Sequence, residues 1–179
     1  MKINPKKTDQ EIEKAITMLV CCVNKKCRNP KPIILHSVRV ALKLIELKQP
    51  QEVIIAGILH DLIEDTDCKI QDIKKKFGLK VANIILNISQ EKIGDYKKRW
   101  KILMEKIEKA GKSAMILKLV DMYENLNYIP LVKSRKELKT IYWKHNFGMN
   151  KLEPYLKRNK LFQECRDGYR KIFKKFGIR

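Results

Sequence analysis

Glycine and proline are scarce in this sequence, 7 and 6 of 179 residues, so a fibrous or low-complexity chain is excluded. No segment alternates apolar and polar residues between hairpin turns, which removes the sandwich and barrel classes and leaves all-α. No apolar run approaches the roughly 20 residues of a membrane span. The polar start MKINPKKTDQ has no apolar signal-peptide core. Cysteine occurs five times, an odd number with no C-x-x-C pair. Reduced thiols in a cytoplasmic protein without membrane contact are the expectation. With no internal repeat and no linker, residues 1–179 read as one compact domain, a core over about 8–130 and a basic helical C-terminal extension over about 131–179.

Acidic residues are also few, 20 Asp plus Glu against 40 Lys plus Arg, a net charge of +20. At 44% apolar and 34% charged residues the chain can fill a core and is not of disordered type. The basic excess is uneven, +9 over residues 1–129 and +11 over the last 50. Such a balance suits an anionic partner, nucleotide or nucleic acid. It also suits a plain composition bias, since lysine outnumbers arginine 32 to 8 and solvated lysines keep proteins soluble.

Helical spacing of apolar residues organises the chain. Thr8-Asp9-Gln10-Glu11 has the form of a capping box ahead of Ile12, Ala15, Ile16, Leu19, Val20 and Val23, a first helix to about Lys26. Pro30 and Pro32 break it, and a second helix carries His36 near its start with Val38, Ala41, Leu42 and Ile45. Pro50 opens a third, whose broad apolar face from Val53 to Leu62 ends in HDLIEDTD. Further helices follow: a short one stopped by Gly78, one through Ile88, one from Asp95 to Ala110 stopped by Gly111, and one capped by Ser113 that runs to Pro130. Two more are expected near Glu137–Lys144 and Phe162–Phe176.

In a chain this basic, residues 60–67 hold four carboxylates and no Lys or Arg. Helical spacing puts His60 near Glu64, and Asp61 near Glu64 and Asp65. Clustered carboxylates at a buried helix end repel one another unless a proton or cation neutralises them, and a divalent metal does so while taking imidazole as a further ligand. His36 and Asp121 are further candidates: a histidine near a helix start and an aspartate within the apolar run Met115–Met122. Singly each also has a bland structural explanation.

Taken in order, His36, His60-Asp61 and the distant Asp121 form the signature of the HD-domain metal-dependent phosphohydrolases, which this sequence resembles. AGILHDLIEDT, KPIILHSVRVA, FGLKVANII and LKLVDMYENL are similar to the hydrolase domain of RelA/SpoT-type alarmone enzymes and their small relatives, over residues 25 to about 128. The resemblance implies a compact helical HD bundle with His36, His60, Asp61 and Asp121 as metal ligands. It implies Mn²⁺, with Fe²⁺ and Zn²⁺ as alternatives, and Glu64 and Asp65 as the acid pair that handles water and protons. It further implies Asn125 as a nucleotide contact, and removal of the 3′-pyrophosphate of guanosine polyphosphates as the activity.

Two positions depart from the pattern. The family's Arg-Lys pair, nine and eight residues before the first His, is here Cys27 and Arg28, so Arg28 is the candidate to cover a base. Met122 follows Asp121 where the family usually has Arg. These changes keep open a hydrolase acting on another nucleotide or phosphorylated metabolite, and a non-catalytic scaffold gripping nucleic acid through residues 130–179. Lys25, Lys26, Lys97, Lys98, Arg99 and Lys112 are candidate phosphate contacts with an equally plain reading as surface charges. His145, Trp100 and Trp143 read as structural.

Overall fold

The computed structural model describes residues 5–29, 31–91 and 94–178; the Pro30 half of the predicted break lies outside them. Every regular element among the described residues is helical. The chain divides into two compact units, residues 1–90 and 91–179.

The first unit holds α1 (Pro5–Lys25), α2 (Ile33–Glu46), α3 (Gln51–Leu59), α4 (Leu62–Asp65) and α5 (Ile70–Ile88). Val53 to Leu59 of α3 are apolar on every side and buried on every side, as such a helix must be. α1, α2 and α5 pack around it, contributing Leu19, Val40, Leu44, Ile73 and Ile85. Each such aliphatic side chain is worth about 1.5–3 kcal/mol on burial, so α3 is a firm post for the residues that follow. Details differ from the sequence reading. α1 begins at Pro5, so Thr8–Glu11 lies within its first turns instead of capping it. α3 ends at Leu59, and His60 and Asp61 form a turn before the separate short α4. The stop expected at Gly78 is present: its φ of 87° with ψ of 170° is non-helical and glycine territory, and it divides α5 into two helical stretches, the second running through Ile88.

The second unit holds α6 (Tyr96–Ala110), α7 (Lys112–Asn125), a 3₁₀ helix (Leu126–Leu131), α8 (Arg135–Leu156) and α9 (Lys160–Lys175). α7 is its post, buried from Ala114 to Met122, with α6, α8, α9 and the 3₁₀ helix packed on it. Asp95 caps α6 by accepting from the Lys98 N–H at 3.0 Å. Gly111, at φ 87°, divides α6 from α7, so Ser113 falls inside α7 and is no cap. Pro130 sits in the 3₁₀ helix. α8 runs on to Leu156, well past the expected Lys144, because Met149, Leu152 and Leu156 continue its buried face. All five cysteines are free thiols. No helix among the described residues is long and apolar enough to cross a membrane.

Candidate metal centre

His60 is the first residue past α3. Its Nδ1 lies 2.8 Å from the carbonyl oxygen of Gly57, one of the last-turn carbonyls that a helix leaves unsatisfied. A carbonyl only accepts, so Nδ1 carries the proton and donates. In the neutral ring Nε2 is then the lone-pair nitrogen, the form that ligates metals. That Nε2 stands 3.0 Å from Asp61 Oδ1. Two electron-pair donors at this separation require a proton or a cation shared by them.

His36, fully buried in the first turn of α2, approaches the same carboxylate, its Nε2 3.8 Å from Asp61 Oδ2. The two imidazole centroids are 5.4 Å apart. The first unit thus brings His36, His60 and Asp61 together as two imidazoles and one carboxylate with little solvent contact, a donor set that fits a borderline divalent ion.

The acid pair follows on α4. Glu64 Oε1 accepts the Gln90 N–H at 3.0 Å, and Asp65 Oδ2 accepts from Asn29 Nδ2 at 2.8 Å. Burial pushes the Asp65 carboxyl above its ordinary value; the Asn29 hydrogen bond opposes this, and the Asp61 charge adds to it. Arg28 does not point its guanidinium to open space: Nη1 donates to the Thr66 carbonyl and Nη2 pairs with Asp67. Lys26 and Arg28 together hold the Asp67 carboxyl below its usual range.

On α7, Asp121 is buried and doubly held, by Lys118 Nζ at 2.8 Å on Oδ2 and by Asn125 Nδ2 at 2.7 Å on Oδ1. Asn125, expected at the nucleotide, here donates to the carboxylate one helical turn back. Met122 is core, and its carbonyl accepts from the Tyr169 hydroxyl. Of the other candidates, Lys26 pairs with Asp67 at 3.3 Å and Lys97 sits 5.4 Å over the Trp143 ring. Trp100 is buried and donates to the Lys144 carbonyl at 2.9 Å.

Three participants escaped the sequence reading: Lys31, Asn29 and Lys118, the last of which holds Asp121. Lys31 Nζ lies 3.1 Å from Asp61 Oδ2, with both side chains largely shielded. Asn29 orients Asp65 and also accepts the Lys31 N–H at 3.0 Å. For Asn29 and Lys31 the only local signal was a polar pair set among prolines before His36, which marks a turn and says nothing of its targets.

Known proteins share the fold and parts of the sequence. Residues 15–144 match the HD domain family. A guanosine-3′,5′-bis(diphosphate) 3′-pyrophosphohydrolase of Aquifex aeolicus is 34% identical over 64% of this chain and 17% of its own length. The enzyme of that name from Drosophila melanogaster, MESH1, is 32% identical over 41% of each chain. The chain therefore spans well under half of either relative. A metazoan SpoT ortholog described as hydrolysing ppGpp superposes with a TM-score of 0.73 at 19% identity, over 94% of this chain and 97% of its own. A Listeria monocytogenes structure reaches 0.70 at 23% identity, over 81% and 99%. Both structures establish the helical fold.

Proposed function

The chain belongs to the HD-domain family, and on that premise we propose that it is a metal-dependent hydrolase that removes the 3′-pyrophosphate of guanosine polyphosphates in the cytoplasm. ppGpp gives GDP, and pppGpp gives GTP, each with pyrophosphate. The observation that carries this reading is the meeting of the His60 Nε2 lone pair and Asp61 Oδ1 at 3.0 Å, in a ring whose other nitrogen is committed to Gly57 O. The activity for which the relatives are named supplies the substrate.

His36, His60, Asp61 and Asp121 would hold the ion. Mn²⁺ suits two imidazoles and two carboxylates, with Fe²⁺ and Zn²⁺ as alternatives. Such an ion stabilises charge on phosphoryl oxygens and lowers the pKa of water at neutral pH. In the reaction water adds its oxygen to the 3′-phosphorus, the bond from that phosphorus to O3′ breaks, and one proton ends on O3′. Asp65, with its proton affinity raised by burial, would take a proton from water and return it. Glu64, fixed by the Gln90 N–H, orients the water. Lys31 holds the Asp61 carboxylate and Lys118 the Asp121 carboxylate.

A second reading has its own observation. Arg28 is engaged by Thr66 and Asp67, and Cys27 is no base contact, so a different nucleotide or phosphorylated metabolite fits the same chemistry. Metal-stripped protein is incubated with ppGpp, with and without Mn²⁺, and pyrophosphate is followed. Metal-dependent release of GDP and pyrophosphate that disappears in Asp61→Ala supports the first reading. No turnover of ppGpp, with cleavage of another nucleotide in a panel, transfers support to the second.

A further inference from the structure

A cavity lies wholly within residues 91–179, in the groove of α8 and α9, with a volume of about 590 Å³. None of the residues assigned to the HD centre lines it. The volume is within the range of small-molecule sites. One wall is cationic: Arg166, Arg170 and Lys174 recur at every fourth position of α9 and so form one stripe. The floor is aromatic, with Tyr142, Tyr169 and Phe173. Among the described residues no acidic side chain lines the cavity, although acids lie close by: Glu153 holds Arg166 Nη1 at 2.9 Å and Asp167 stands 3.9 Å from Arg170 Nη1.

Two nitrogens in this wall are buried with no partner among the described residues, Arg166 Nε and His145 Nδ1, and His145 is itself only 5% exposed. A buried polar group left unpaired costs about 1–3 kcal/mol, which the fold tolerates here on two residues of one cavity. His145 stacks on Tyr169 with centroids 3.6 Å apart. Burial keeps its ring neutral, so Nδ1 is a donor in one tautomer and an acceptor in the other. Asn146 and Asn150 on α8 add amides able to donate and accept.

We infer that this cavity is a binding site for a mononucleotide, its phosphate against Arg170 and Lys174 and its base against the aromatic floor. A phosphate alone would use the cationic stripe and leave the aromatic floor idle. A neutral aromatic ligand would leave the stripe idle. The combination calls for a planar base joined to a phosphate, which guanidinium and aromatic faces both recognise. The site accounts for part of the basic excess of the last 50 residues that the HD centre does not use.

Binding of GMP and of inorganic phosphate is measured by calorimetry on the full chain, on Asp61→Ala, and on the double variant Arg170→Glu/Lys174→Glu. The double variant changes exposed side chains only, and Asn146→Asp, also exposed, repeats the test from the α8 wall. Expected are saturable binding of one GMP, tenfold or more weaker binding of phosphate, retention in Asp61→Ala, and at least tenfold loss in each charge-changing variant. Binding that survives charge reversal, that vanishes in Asp61→Ala, or that is no tighter for GMP than for phosphate overturns the proposal. Absence of saturable binding does so as well.

Discussion

At His60 a single hydrogen bond to the Gly57 carbonyl selects which ring nitrogen meets Asp61, and helix termination and metal chemistry therefore share one side chain. Asp65 shows the opposite compromise, because its carboxyl is kept where ionisation is disfavoured. A carboxyl whose proton affinity is raised in the folded protein favours folding at low pH. That contribution is lost as pH rises through the raised value, and the buried carboxylate is then a cost. Asp65→Asn is accordingly expected to unfold at the same or higher urea concentration than the parent near pH 7, with the advantage vanishing in acid, both measured with chelator present. The same variant should lose about 10²–10⁴-fold in hydrolysis, the range of a removed proton-transfer group. A loss of both stability and activity at neutral pH would assign Asp65 a structural part only.

At the scale of elements, α3 and α7 do the same work: each is buried along most of its length and carries acidic chemistry at or near its C-terminal end. Their orientation rests on what precedes them. Gly111 introduces α7 at φ 87°, where a Cβ would meet nothing within 4 Å, so backbone strain is the sole obstacle to substitution. Gly111→Ala is expected to cost about 1–3 kcal/mol with an unchanged denaturant slope, read from urea unfolding. An unaffected midpoint would show that the α6–α7 junction relaxes freely. α8 illustrates a limit of local reading: its first turns end at a plausible boundary near Lys144, yet burial of Met149 and Leu152 carries it on to Leu156.

For the whole molecule, a ligand that binds only the folded state raises stability by RT ln(1 + [L]/Kd), about 2.7 kcal/mol at a hundredfold excess over Kd. Mn²⁺ should therefore raise the melting temperature of the metal-stripped protein, chelator should reverse the rise, and Asp61→Ala should abolish it. No shift with any first-row divalent ion would count against the donor set, independently of turnover.

The all-helical architecture and the residues of the HD turn were legible in the sequence, because periodicity is a local property and because four carboxylates against a basic background mark a place where charge must be neutralised. The resemblance to HD phosphohydrolases joined His36, His60-Asp61 and Asp121 across the chain. What surrounds them was settled by tertiary structure alone. Arg28 meets Asp67 39 residues away, Asn29 meets Asp65 36 residues away and Lys31 meets Asp61 30 residues away. Such pairings depend on where the connection from α1 to α2 lies beside α4, and that position follows from burial of helix faces, which no neighbouring residue encodes. The buried nitrogens of the α8–α9 cavity have the same origin: each lies on an ordinary helical residue, and only packing brings them to one wall.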